Sequence, residues 1–131
     1  MLRRLFLPLL ILLLLPVPVA AQKLIALSFD DVPRGRGAFF TPDERSARII
    51  AELKKADAPQ AVFFVNPCHI GSGDGVGGEA RIAAYVAAGH VIPNHSCTHP
   101  HLNATAVDAY LADIDKAEAC LLYTSPSPRD S

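Results

Sequence analysis

Three short apolar runs alternate with three amphipathic segments along the middle of the chain. KLIALSFDD (23–31) is β-compatible and apolar until it ends in a carboxylate pair, the pattern of a buried strand. AVFFV (61–65) is a second run of this kind, and VIPNH (91–95) is a shorter third. A glycine-rich turn, RGRG, follows the first run. Thr41-Pro42-Asp43-Glu44 then supplies an N-cap, a proline at the first helical position and a capping glutamate. The helix they start carries Ile49, Ile50, Leu53 and Ala56 on its apolar side and is bounded by Pro59. A second helix is expected over 79–88, with Ile82, Tyr85 and Val86 inward and Gly89 as its stop. Thr105 caps a third, with Val107, Tyr110, Leu111 and Ile114 at helical spacing. This order implies parallel strands in an α/β architecture, without internal repeats.

The two ends read differently. Residues 1–21 combine Arg3 and Arg4, an apolar run from Leu5 to Leu15 and a small-residue site at Val19-Ala20-Ala21. That is the pattern of a secretory signal peptide cut after Ala21, with an uncleaved anchor as the alternative. The run is short for a membrane span, so no stable span is expected after cleavage, and the product is expected to be secreted or periplasmic. At the other end the helical pattern gives way to YTSPSPRDS. This stretch resembles a translated sequencing adapter, so 121–131 is expected to be a non-native tail; a flexible Ser/Pro tail is the alternative.

Setting the leader aside changes the composition, because the 50% hydrophobic share is inflated by it. Losing Arg3 and Arg4 takes the formal charge from −1 to −3, and a mildly acidic chain without a basic patch argues against nucleic acid as partner. Export permits disulfides, but Cys68, Cys97 and Cys120 are an odd set without tight spacing, and no disulfide framework follows from them.

The element order places the chemistry. Asp30 and Asp31 end the first strand, and His95 and His99 lie at and after the end of the third. In parallel α/β folds the carboxyl ends of the strands share one face, where active sites are built. Two motifs about 65 residues apart should therefore meet. A carboxylate and two imidazoles are the donors that a catalytic zinc takes while keeping a position open. A second carboxylate could then accept a proton from the attacking water. Adjacent strand residues point to opposite faces, so a pair makes sense if each member has its own role. Pro100 disfavours helical backbone at His99, which puts the histidines on a loop that Ser96 could brace.

At these residues the chain resembles the polysaccharide deacetylases of the NodB-homology type, carbohydrate esterase family 4. The resemblance runs from about Leu24 to Cys120 (domain 22–120) and rests on LSFDDVP (27–33), APQAVFFV (58–65) and GHVIPNHSCTHPHL (89–102). It implies the N-terminal part of a distorted (β/α) barrel, incomplete here. It also implies Asp30 as general base, with Asp31, His95 and His99 holding a divalent metal, most often Zn2+. The implied substrate is an acetylated glycan, such as a chitooligosaccharide or peptidoglycan, or acetylated xylan. Two readings of other classes stay open. One is a non-catalytic module binding glycan or metal, and the other is a metal-dependent amide hydrolase acting on small molecules.

Several residues carry weaker signals. Cys97 reads as a small filler or a thiolate ligand, and His101 as a loop residue that could border the groove. His69 and His90 read as loop and turn residues. Asn103-Ala104-Thr105 matches a glycosylation acceptor as well as a cap. GDGVGG (73–78) matches a dinucleotide fingerprint formally, yet it starts eight residues after the strand and fits a rim loop better.

The chain departs from the family pattern in two ways. Val32 stands where the family usually has glycine, so the loop beside the site is expected to differ. The family's later motifs, which supply an arginine near the base, a groove-lining Asp/Trp segment and a general-acid histidine, are not in the sequence. A barrel of this kind takes about 250 residues. The chain as written is therefore expected to be inactive and marginally stable. Acetate release from an acetylated chitooligomer by the purified 131-residue chain would overturn this.

Overall fold

The computed structural model describes residues 23–124 of the chain. The expected leader (1–21) and most of the expected tail (125–131) lie outside the described residues. The order is β1 (Ser28–Val32), α1 (Pro42–Lys55), β2 (Val62–Val65), α2 (Gly78–Ala87) and α3 (Val107–Thr124), with short 3-10 turns at Pro67–His69, Gly73–Gly75 and Leu102–Ala104. β1 pairs with β2 in parallel, as the alternation of elements requires.

The third apolar run joins the other edge of β2 through parallel bridges Val62–Val91 and Val65–Asn94 only. Proline explains the gap. Val91 N–H donates to the Ala61 carbonyl at 3.0 Å and His95 N–H to the Val65 carbonyl at 2.9 Å. Pro93, midway between them, has no N–H to give. The Val91 and Pro93 carbonyls still accept from Phe63 and Val65 at 2.8 and 3.0 Å, so the segment stays in register. The described residues thus form three adjacent parallel staves of an α/β fold, in the order β1, β2, 91–95.

The core lies between the sheet and the helices. Ala61, Phe63 and Val65 alternate inward along β2 and are at most 1% exposed. The Phe63 ring stacks between Phe29 (4.8 Å) and Tyr85 (4.0 Å). Leu53 of α1, Ile82 and Tyr85 of α2, and Leu121 of α3 close around it. Tyr85 keeps its hydroxyl satisfied on Ser46 Oγ at 3.0 Å, and Ser46 in turn donates to the Pro42 carbonyl. Burial raises the Tyr85 phenol above its ordinary value; the Ser46 bond and nearby Arg81 oppose the rise.

Local rules account for the ends of α1 and α2. The Thr41 hydroxyl accepts from Glu44 N–H at 3.3 Å, and Glu44 Oε2 accepts from Thr41 N–H at 2.9 Å, a complete capping box. Gly89 takes φ +87° after α2. Within the glycine-rich loop, Gly77 has φ +78°, and a Cβ on Gly75 would sit 1.8 Å from the His69 carbonyl oxygen. Those glycines serve chain geometry. Buried Arg81 fastens this loop through the carbonyls of Asp74, Gly75 and Val76 and a 2.8 Å bond to Asp43.

The structure corrects several sequence expectations. β1 begins at Ser28, and Leu24 and Ile25 are exposed. Ala56 is exposed at the end of α1. On α3, Val107 and Leu111 face solvent while Ala117 and Leu121 are buried, so the inward stripe is displaced toward the helix end. The Thr105 hydroxyl donates to the His101 carbonyl, closing a turn before the helix. His90 is a core residue: its Nδ1 accepts from Ala61 N–H, and its ring lies 5.3 Å from Phe63.

Phe63→Ala removes the middle ring of the stack and should lower stability by about 3–5 kcal/mol, a large share of what a domain this size has. Urea unfolding followed by circular dichroism measures it. A midpoint near that of the parent chain would mean that the stack is not central.

Candidate metal centre

β2 sets the level at which both edges end. Asn66 N–H, just past β2, donates to the Val32 carbonyl at 3.0 Å, while the Val65 carbonyl receives His95 N–H. Val65 and the Asn66 that follows it therefore hold the first histidine on one side and the end of β1 on the other.

On the β1 side the ladder slips. Phe29 pairs with Phe63 and Val32 with Val65, so three steps on β1 match two on β2. The extra residue is a bulge at Asp30-Asp31, with Asp31 at φ +60°. An aspartate tolerates left-handed backbone better than valine does. Val32 is the last residue of β1 and is buried, and the left-handed step beside it falls at Asp31.

The histidine arc is also left-handed in two places, Ser96 at φ +64° and His99 at φ +58°. Each such residue costs on the order of 1–3 kcal/mol unless its surroundings hold it. They do, from two sides. From the end of β2, the Asn66 amide donates to the carbonyls of His95 and Ser96. From α3, Asp113 Oδ2 accepts from the N–H groups of Cys97 (2.7 Å) and Thr98 (3.0 Å), and Oδ1 accepts from the Thr98 hydroxyl (2.8 Å). Within the arc, Asn94 Oδ1 accepts from Ser96 N–H at 2.8 Å, and its amide group reaches the Ile114 carbonyl and Glu118. The brace expected of Ser96 thus comes from Asn94.

Cys68 and Cys97 form a disulfide with Cα atoms 5.0 Å apart. The spacing of the cysteines gave no framework, and the structure supplies this pair; Cys97 is neither a filler nor a thiolate ligand. In the chain-entropy picture, closing a loop of 29 residues stabilises the fold by about 3–4 kcal/mol.

With the backbone so arranged, Asp31, His95 and His99 converge. Asp31 Oδ1 lies 3.7 Å from His95 Nε2 and 3.6 Å from His99 Nε2, and one donor atom from each falls within 4.8 Å of the others. Tetrahedral zinc with bonds of about 2.0–2.1 Å separates its ligands by roughly 3.3 Å. The donors are thus near coordination distance already and fit a divalent metal held on one side, with the outer side open. Asp31 Oδ2 turns toward Arg34 at 4.0 Å. Phe64 packs its ring 5.5 Å from that of His95.

Asp30 is not part of this group. It is exposed and lines a cleft of about 770 Å3 beneath α1 with Arg34, Arg36 and Arg45. Asp31 opens instead onto an adjoining polar cleft of about 380 Å3 with Asn66, His69, Ser72 and Asp74. Val32, Arg34 and Gly35 border both. His101 borders a third hollow of about 330 Å3 with His95, His99, Leu102 and Tyr110.

Burial raises the Asp113 carboxyl, but its bonds from Thr98 and Cys97 outweigh that and hold it below the ordinary carboxylate value. A depressed folded-state pKa stabilises at pH above the unfolded value, about 4, and the benefit fades as pH falls through the folded value below it. The Asp113 carboxyl carbon resonance should therefore titrate below the ordinary aspartate range. Asp113→Ala should weaken Zn2+ binding by about 10–100-fold, read by calorimetry. Unchanged affinity would show that the arc needs no support from α3.

The polysaccharide deacetylase family model matches residues 19–128. No curated protein matches the chain significantly. Among solved structures, the peptidoglycan deacetylase PdaC from Bacillus subtilis is 27% identical with a TM-score of 0.62, over 80% of this chain and 45% of its own. The chitin deacetylase from the fungal pathogen Colletotrichum lindemuthianum is 25% identical with a TM-score of 0.57, over 76% of this chain and 40% of its own. The Bc1960 peptidoglycan N-acetylglucosamine deacetylase is 30% identical with a TM-score of 0.56, over the same shares. The chain spans less than half the length of these structures. Three parallel staves, their converging ends and a family match over most of the sequence lead to one assignment: the chain belongs to the polysaccharide deacetylase family.

Proposed function

We propose that the chain carries the metal centre and general base of a secreted or periplasmic, zinc-dependent deacetylase of acetylated glycans. The observation that supports this most is the convergence of Asp31, His95 and His99 at the carboxyl end of the parallel sheet. A donor set of one carboxylate oxygen and two imidazole nitrogens suits zinc with a position left open. The substrate class follows the similar proteins, which are described as peptidoglycan and chitin deacetylases.

A divalent metal bound there would polarise the acetyl carbonyl and favour deprotonation of water. The chain's own residues do the rest. Asp31 gives one oxygen to the site, and its other oxygen faces Arg34. Asp30, one residue earlier in the same bulge, lines the cleft that adjoins the Asp31 cleft along Val32, Arg34 and Gly35, and from that side accepts the proton lost by water as it adds to the carbonyl carbon. The carbon–nitrogen bond then breaks as the proton held by Asp30 passes to the nitrogen, and the products are a free amine and acetic acid, which ionises to acetate. Phe64 closes one flank of His95 with an apolar ring.

The roles of the two aspartates separate in a binding experiment. Calorimetry should find one Zn2+ per chain, weakened more than about a hundredfold, the upper end of outer-shell losses, by Asp31→Asn, His95→Ala or His99→Ala. Asp30→Asn should leave affinity nearly unchanged. With Zn2+ bound, acetate should shift the His95 and His99 ring resonances. If Asp30→Asn abolishes binding while Asp31→Asn does not, the roles are reversed. If chitooligomers bind equally well without metal, the chain is a glycan-binding module.

A further inference from the structure

The arc between the two histidines is joined covalently to the end of β2, and the bond lies in its middle. Cys97 is two residues from each histidine and is completely buried. Cys68 belongs to the turn Pro67–His69, is half-buried, and is followed by exposed His69. We propose that the Cys68–Cys97 disulfide is a redox-sensitive brace that positions His99 for metal binding, so that its reduction weakens the metal centre.

The two ligand histidines depend on this bond unequally. His95 is anchored by its N–H on the Val65 carbonyl and by its own carbonyl on Asn66, both independent of the disulfide. His99 lies past the last of these anchors, in left-handed backbone. Toward the β2 side, the disulfide is the tie closest to it; toward α3, Asp113 holds Cys97 and Thr98. Breaking the bond leaves His99 tethered from one side only. A left-handed, exposed residue ahead of Pro100 then relaxes toward extended backbone, and its imidazole leaves the range of Asp31.

Access sets the route of reduction. The nucleophile reaches Sγ of Cys68, the less buried residue, and the sulfur–sulfur bond breaks with its electron pair leaving on Cys97. With a trialkylphosphine, water then releases the phosphine oxide, and the two cysteines carry the two protons as thiols. In an oxidising compartment the bond persists and the centre stays assembled.

This inference rests on the metal-centre reading, and Co2+ titration of the purified chain tests both separately. The oxidised chain should bind one Co2+ without a near-ultraviolet thiolate–cobalt band. The phosphine-reduced chain and Cys68→Ser should bind at least tenfold more weakly, and reoxidation of the reduced chain alone by oxidised glutathione should restore affinity. Thr41→Ala, which weakens α1 away from the arc, should leave Co2+ affinity unchanged. If it lowers affinity as much, the effect is general destabilisation and the brace is refuted. Should the reduced chain unfold, Cys68→Ala/Cys97→Val, which fills the space without the bond, carries the same test. Equal affinity in both redox states, with the broken bond verified by thiol count, overturns the brace and leaves the metal centre intact. Tighter binding on reduction, with a thiolate band, would make Cys97 a ligand instead. If neither form binds Co2+, both readings are overturned.

Discussion

The two hydrogen bonds at the end of β2 are the constraint on which the site depends. The Val65 carbonyl holds His95, and the adjacent Asn66 N–H holds the last residue of β1. Because the ladders on both edges are parallel, residues far apart in sequence reach the same level of the sheet. β2 in turn is kept straight and dry by the stack of Phe63 between Phe29 and Tyr85. Core packing thus controls ligand spacing without touching a ligand.

Regular strands alone would not give the site. In an unbroken β1, Asp30 and Asp31 would alternate across the sheet with neither in the plane of its end. The bulge re-aims Asp31 through a left-handed step, and His99 is presented through another. Left-handed backbone in aspartate and histidine is held by its surroundings rather than preferred. That explains the density of side-chain to main-chain bonds around the arc, where Asn66, Asn94 and Asp113 each hold two or more groups. Strain and restraint occur at the same few residues.

Much of this was legible in the sequence, for physical reasons that can be named. The capping box of α1, the buried face of α2 and its glycine stop follow from local rules and are present in the structure. That the Asp30-Asp31 pair and the two histidines reach one end of the sheet follows from strand order, while the choice of Asp31 as the partner of His95 and His99 came from the family resemblance. What was not legible depends on tertiary partners. Two half-cystines 29 residues apart give no spacing signal, because their pairing is set by the approach of two loops. His90 reads as a turn residue until Ala61 N–H is seen to need its nitrogen. Asp113 did leave a trace: it falls on the same helical face as Tyr110, Ile114 and Ala117, and a carboxylate within an inward stripe calls for a buried donor. Asp30 shows the limit of the strand-end rule, since the bulge sends adjacent carboxylates to different clefts.

The disulfide also bears on which metal the centre selects. A thiolate at position 97 would add a soft donor beside two imidazoles, the composition that favours copper(I) or a closed zinc site. Oxidation removes that donor from the arc, leaving one hard oxygen and two borderline nitrogens. Such a set binds zinc well but does not enclose it, because nothing in the trio supplies a fourth strong ligand. An unfilled position is what hydrolysis requires, since water and the acetyl oxygen must compete for it. On the proposed reading, the bond that braces the arc would also keep the donor set suited to a catalytic rather than a structural metal.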